Sequence, residues 1–323
     1  SSLWAENWDY EKPFFGLTGN TTTSYANSFN PKAVYCGKSL MADLKSIIED
    51  FSPTDIFYPD ANDRHRDHWA LSCFVKYTIE LYGYNVNEYS YLVHYPQWPK
   101  PLALMPFAGL YPPEALEGFG ILWHKCPLSS KVILTKFLSL REYKTQLRLM
   151  GNYLNSFVRK NELFTTYPDV FYRKIDVIPD FKQGKELPHR IVCSESRDLL
   201  IDRQNDIKAI GLVESPNGYY FALETWSDKN PPDEYFFNMR LLYDDQKPKR
   251  MKLRINGRQG AVLSNSSDSI IIDEVIQVEC HKNRAWFVIP KKFLGQPKKM
   301  FVNASIFSSE NTERTAWRFV LPK

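Results

Sequence analysis

The sequence contains no apolar run approaching the roughly 18 residues of a membrane-spanning helix, so no span is expected. It has little net charge: 41 basic residues against 37 acidic ones give +4, with no long Lys/Arg run. That balance speaks against a nucleic-acid binder. The most basic stretch, Lys247-Pro248-Lys249-Arg250, reads as a solvated loop. Cysteine is scarce. Cys36, Cys73, Cys126, Cys193 and Cys280 are far apart and form no C-x-x-C pair, so neither a disulfide framework nor a paired-cysteine metal motif is expected. The opening Ser1-Ser2-Leu3-Trp4-Ala5-Glu6 has no basic start, hydrophobic core or Met. It is not a signal peptide, and an upstream segment is expected to have been removed. Asn20, Asn265 and Asn303 each begin an N-x-S/T pattern, which is common by chance. The compartment stays open, with a secreted or cell-surface location favoured over a cytoplasmic one.

What remains is a soluble globular composition, 43% apolar and 24% charged. At about 150 residues per domain, 323 residues make roughly two domains. The aromatic content, 15%, suits sheet cores and sugar-binding surfaces equally. Residues 1–190 read as an α/β layer domain. Leu40, Met41, Leu44, Ile47 and Ile48 recur at helical spacing until Ser52-Pro53 breaks the pattern. Asp55 to Pro59 is a short strand, His68 to Tyr82 a second helix, and Glu88 to Tyr95 a second strand. Helix and strand in alternation are the pattern of an α/β fold, in which ligands gather beyond the carboxyl ends of the strands. Tyr95 to Pro127 holds seven of the 21 prolines and many aromatics. Its length without regular structure marks it as the rim of a cleft or as a self-packed surface excursion. Ser129-Ser130 is positioned to cap a helix, and Lys136 to Arg159 reads as one long amphipathic helix. Tyr172 to Ile178 reads as the last strand of this domain.

A linker-like stretch, Phe181 to Pro188, precedes a change of style. Residues 191–323 show the period-two alternation of strands in about seven segments, which predicts a β-sandwich domain, accessory or carbohydrate-binding. Trp226, Trp286 and Trp317 are its candidate sugar platform; the alternative is that they belong to its core.

The chemistry concentrates in Asp60-Ala61-Asn62-Asp63-Arg64-His65-Arg66-Asp67-His68, which holds two of the six histidines. It follows a strand and opens a helix. A spacing of three puts His65 and His68 near one face, and imidazole and carboxylate are ordinary zinc ligands. The competing reading is a charged helix start, with Asp63 as cap and Asp67 favoured by the helix dipole. His94, ending the second strand, is a candidate pocket residue, and Arg64 a candidate for a substrate anion. His124, His189 and His281 are weaker candidates.

Asp63-Arg64-His65-Arg66-Asp67-His68 resembles the D-x-H-P-D-H signature of the PIG-L/LmbE-like zinc N-deacetylases, with Arg66 in place of proline. Lys136, Tyr143 and Gln146 resemble a later stretch of that family, over roughly residues 10 to 165. The resemblance implies a Rossmann-like deacetylase domain with Zn2+ on His68, His65 polarising the amide or stabilising the intermediate, and Asp67 buttressing it. It implies an N-acetylated sugar or glycoconjugate as substrate. The family's opening A-H-P-D-D-E segment, which carries the other ligands and the general base, has no counterpart here. The expectation is therefore an incomplete sheet, lacking its first strand-helix unit and completed by an N-terminal fragment or a companion chain. Two further readings stay open: a non-catalytic glycan-binding or structural protein derived from that fold, and another metal-assisted hydrolase.

Overall fold

The computed structural model describes residue 4 and residues 11–16, 18–176, 190–192, 205–264, 271–307 and 312–323. The expected linker at 181–188, His189, Cys193 and the N-x-S pattern at Asn265 lie outside the described residues. The chain divides into two compact units, Ser1–Tyr167 and Pro168–Lys323.

In the first unit, helix α1 spans Gly37–Phe51. The Cys36 Sγ caps it by accepting from the Ser39 N–H at 3.4 Å. Ser52, at φ 49°, ends it in the left-handed region and returns its N–H to the Ile48 carbonyl, while Pro53 forbids continuation. Strand β1 spans Asp55–Pro59, helix α2 Arg66–Tyr82 and strand β2 Asn87–Tyr91. β1 and β2 pair in parallel, Phe57 opposite Tyr89, with α2 as the crossover between them. Ile48, Tyr58, Val75 and Ile79 fuse α1, α2 and β1 into one apolar cluster.

Strand β3 (Leu122–Pro127) and strand β4 (Asn161–Thr166) complete a sheet of order β1-β2-β4-β3, and both of these join antiparallel. This corrects the Rossmann-like expectation. One parallel crossover is present, but the other half of the sheet is an antiparallel pair rather than further β-α-β units. The long helix expected at Lys136 to Arg159 is two helices, α3 (Ser130–Arg141) and α4 (Lys144–Asn155). Ser129 caps α3 through its Oγ, and α4 is itself kinked at Met150, φ −132° and ψ 31°.

The second unit is a closed β-barrel, which corrects the β-sandwich expectation. Its strands are β5 (Val170–Lys174), β6 (Arg190–Val192), β7 (Ile207–Glu214), β8 (Gly218–Thr225) and β9 (Glu234–Leu242). They continue with β10 (Lys249–Asn256), β11 (Gln259–Ser264), β12 (Ile271–His281) and β13 (Arg284–Pro290). A short helix α5 (Lys291–Leu294) precedes β14 (Lys299–Phe307), β15 (Thr312–Arg314) and β16 (Arg318–Pro322). The order β14-β16-β5-β7-β8-β13-β12-β11-β10-β9 returns to β14 because β9 and β14 also pair, making a ring of 10 strands. β5, expected to finish the first domain, pairs in parallel with β16 and β7 of the barrel.

Alternation explains the barrel's interior. Tyr235, Phe237, Met239 and Leu241 of β9 and Met300, Val302, Ala304 and Ile306 of β14 face one shared core with Phe221 and Phe287. That core is packed side chain, as in small barrels. Trp286 and Trp317 are each only 4% exposed, so they serve packing rather than a sugar platform. Lys208 sits over the Trp226 ring at 4.9 Å.

Candidate functional site

The site is built where β1 and β2 end. The carboxyl end of β1 runs into Asp60, which is fully buried. Its carboxylate accepts from the Asn62 N–H at 2.8 Å, Ser90 Oγ at 2.9 Å, Thr165 Oγ1 at 2.5 Å and the Tyr167 hydroxyl at 2.6 Å. These donors tie the ends of β1, β2 and β4 together and satisfy a carboxylate that has no water to meet it. Asp60 is therefore a structural clamp.

Asp63, only 2% exposed, does the same for the next layer. Its Oδ1 accepts from the His65 N–H at 2.8 Å. Its Oδ2 accepts from the N–H groups of Val93 and His94, both at 3.0 Å, and lies 3.1 Å from Nδ1 of His68. The Arg64 N–H donates to the His94 carbonyl at 2.7 Å, closing the loop after β1 onto the loop after β2. With the Asp63 oxygen already accepting from two amides, His68 Nδ1 is the donor there. The neutral ring then presents a bare Nε2.

His65 is the N-cap of α2, and its Nδ1 accepts from the Asp67 N–H at 3.3 Å. A neutral His65 thus carries its hydrogen on Nε2 and is a donor. Asp67 lies exposed in the first turn of α2. The rings of His65, His68 and His94 form a triangle, with centroids 4.8 Å, 5.1 Å and 5.1 Å apart. The structure therefore brings His65, His68 and His94 together, with Asp67 at the edge through its backbone.

Beside them opens a cleft of about 890 Å³, within the usual range of about 300–1,000 Å³ for small-molecule sites. Arg64, His94 and Tyr95 form one part of its lining, Leu102 comes from the proline-rich loop, and Arg148 and Tyr153 come from α4. Part of that loop thus does line the cleft. The kink at Met150 lies within this wall. Tyr153 stacks on His94 at 5.8 Å and donates its hydroxyl to the Val93 carbonyl. Burial, with Asp63 nearby, pushes the Tyr153 phenol up to about 12, so it stays a hydrogen-bond donor at neutral pH. Burial also lowers the His94 pKa, and the adjacent His68 and His65 lower it further, against the opposing pull of Asp63.

His124 lies apart on β3, where its Nε2 meets Thr166 Oγ1 at 2.8 Å. His281 ends β12 in the barrel. The sequence suggests Asp63 as the helix cap; His65 takes that place, and Asp63 instead joins the loop after β1 to the loop after β2. The signal for this role is the Asp-x-His spacing of an Asx turn, in which the side chain accepts from the N–H two residues on.

Among the described residues, no group of three or more His, Cys, Asp or Glu side chains is arranged to hold a metal ion. A catalytic zinc takes about three protein ligands, so the zinc-dependent deacetylation mechanism, and a metal-assisted hydrolase with it, loses its support. Compared with protein-family models, with curated proteins and with solved structures, the chain matches none. Together with the mixed sheet and the closed barrel, this overturns the PIG-L/LmbE resemblance and the hydrolase, deacetylase, zinc and β-sandwich assignments drawn from it. A glycan-binding protein derived from that fold falls with the fold. No helix among the described residues is long and apolar enough to cross a membrane.

Proposed function

We propose that the first unit is a small-molecule site in which His68, oriented by Asp63, takes a proton from a hydroxyl or water at the cleft. The observation that carries this is the 3.1 Å contact between buried Asp63 and His68 Nδ1. A carboxylate that fixes one ring nitrogen leaves the other as a base of defined direction, the usual arrangement of an orienting group behind a proton acceptor. His65, a donor at Nε2, packs against the rings of His68 and His94 and supplies a hydrogen bond to an oxygen that gains charge. Arg64 and Arg148 act as ligand-holding groups.

The ligand we favour is an N-acetylated sugar or glycoconjugate. The lining sets the aromatic rings of Tyr95 and Tyr153, the latter with one face already on His94, beside the amide of Asn152, a pairing suited to a sugar ring and its acetamide. A secreted or cell-surface setting accords with such a ligand. Nε2 of His68 is also the ring atom we would assign to zinc, and it cannot hold zinc and take a proton at once; metal analysis of the purified protein and of His68→Ala separates the two. A companion chain is part of the same reading: β1 is an edge strand, and among the described residues it pairs only with β2.

The test is calorimetric titration with N-acetylglucosamine and chitobiose, comparing the native protein with Gly151→Trp. Gly151 lines the cleft, and no atom stands within 4 Å of where its Cβ would be, so a side chain can be attached there without an immediate clash. Binding that Gly151→Trp abolishes is the expected result. Binding that survives it, or none to either sugar, would overturn the site.

A further inference from the structure

We infer that the proline-rich loop is a membrane-docking surface, an apolar wedge with a basic collar that seats on an anionic lipid bilayer. The inference goes beyond the proposed sugar site and does not rest on it. Pro101 to Pro113 contains no charged side chain, and its one polar side chain is the phenol of Tyr111. Leu102, Leu104, Met105, Phe107 and Tyr111 are all exposed, Phe107 to 84%. Large apolar side chains gathered in one exposed loop mark an interaction surface.

The backbone beneath those side chains favours lipid over a protein partner. A loop that enters the apolar boundary of a bilayer leaves water, so its polar groups must find partners within the protein. The Pro101 carbonyl accepts from Arg159 Nη2 at 2.8 Å, and the Ala108 carbonyl from the Lys160 N–H at 3.0 Å. The Leu110 carbonyl accepts from the Asn161 amide at 3.1 Å, and the Tyr111 carbonyl from the Trp98 indole at 2.8 Å. Inside the loop, the Met105 carbonyl takes the Ala108 N–H at 3.0 Å. Pro106, Pro112 and Pro113 have no N–H to satisfy. The same bonds hold the loop in shape, so docking has little chain left to order.

The charge around the loop is complementary to such a surface. Lys100 immediately precedes the loop, Lys160 is tied to it at Ala108, and the Lys125 ammonium lies 4.0 Å from the centre of the Tyr111 ring. All three lysines are exposed, and the sequence has no acidic residue between Glu88 and Glu114. Lysines beside an apolar tip meet the negative surface of a bilayer that carries anionic lipid.

Cosedimentation of the full chain with vesicles decides it. One set is phosphatidylcholine alone, the other phosphatidylcholine and phosphatidylserine in equal parts. The chain should bind the mixed vesicles about tenfold or more tighter, and lose that advantage in high salt. Phe107→Ser should weaken binding to the mixed vesicles by about tenfold while the unfolding midpoint holds, because the ring is exposed. Lys100→Gln combined with Lys160→Gln should remove most of the preference for mixed vesicles. Phe51→Ser, which deletes another exposed ring at the end of α1, should leave binding unchanged. No binding to either set, equal binding to both, or binding that a folded Phe107→Ser protein keeps overturns the inference. A preference kept by the folded lysine variant, or an equal loss in Phe51→Ser, overturns it as well. Self-association without vesicle binding, abolished by Phe107→Ser, would assign the loop to a second copy of the chain instead.

Discussion

Oδ2 of Asp63 stands 3.1 Å from Nδ1 of His68 and also accepts the amides of Val93 and His94, so one oxygen fixes a side chain and the turn that faces it. The pair lies at the junction of two strand ends and a helix start. Local sequence supplies His68 through the first turn of α2, while the Val93-His94 turn arrives some 30 residues later through the crossover.

Asp63→Asn tests this relationship. An amide has one acceptor oxygen, so its NH2 must face either His65 N–H or the three donors on the other side. The cheaper orientation turns the NH2 to His65 and orphans that one buried donor, at about 1–3 kcal/mol of stability. The amide oxygen then still accepts the Nδ1 hydrogen of His68, so the tautomer should persist in Asp63→Asn and be lost in Asp63→Ala, readable from ring nitrogen NMR shifts. An unchanged tautomer in a folded Asp63→Ala protein would show that Asp63 does not orient His68.

His94 gives a pH prediction. Its folded pKa lies below the ordinary 6.5, chiefly through burial. The unfolded chain therefore binds this proton more readily. The His94 contribution is fully present above pH 6.5 and is lost as pH falls through 6.5 towards the folded value. Asp63 raises that pKa, His65 and His68 lower it, and Arg64 and Arg148 line the same cleft. Thermal midpoints should fall between pH 6.5 and 5 less steeply in His94→Gln than in the native protein. Parallel curves for the two would remove His94 as the source.

The same contrast of local and distant contacts explains what the sequence shows. β1 is read with its observed bounds because a short apolar run and Pro59 are local signals. The strands of the second unit are likewise visible, apart from β6, β7, β11 and β15. Asn256-Gly257, with Gly257 at φ 60°, is the hairpin signal that separates β10 from β11. The barrel is not visible. A sandwich and a barrel share the same alternation, and they part at the β9–β14 pairing, which joins residues about 60 apart. At the site, the histidine cluster is legible at His65 and His68. His94 joins them only through the parallel register of β1 and β2, and Arg148 only through α4.

Gly218→Ala tests the packing of the barrel wall. A side-chain carbon there would lie 2.4 Å from the Ile289 carbonyl oxygen and 3.0 Å from its carbon, where β8 pairs with β13. Backbone in a closed ladder cannot swing aside as a flexible side chain can. The variant should lose about 1–3 kcal/mol in urea unfolding. Gly151→Ala, with open space at that position, is the control and should be neutral. Equal stability of the two variants would mean that the β8–β13 approach is looser than the register requires.

Arg159 tests how the proline-rich loop shapes the cleft. Its side chain is 1% exposed, donating from Nε to the Ser156 carbonyl at 2.6 Å and from Nη2 to the Pro101 carbonyl at 2.8 Å. Burial lowers its pKa, the mark of a cation held with little water. Asn161 holds the other side of the loop, exchanging hydrogen bonds with both backbone groups of Leu110. Between these anchors lie Leu102, which lines the cleft, and the exposed Leu104, Met105 and Phe107. Arg159→Met keeps most of the stem's volume and removes both donors, leaving two carbonyls short of a partner. Global stability should fall by about 1–3 kcal/mol. The local effect separates a loop anchor from a general packing residue: protease cleavage between Leu102 and Phe107 should accelerate, and sugar affinity should weaken because Tyr95, Pro96 and Leu102 no longer hold one wall. Asn161→Ala should accelerate cleavage nearer Leu110. A folded Arg159→Met protein with native cleavage rates would assign the loop's shape to Trp98, whose indole donates to the Tyr111 carbonyl at 2.8 Å, and to Asn161.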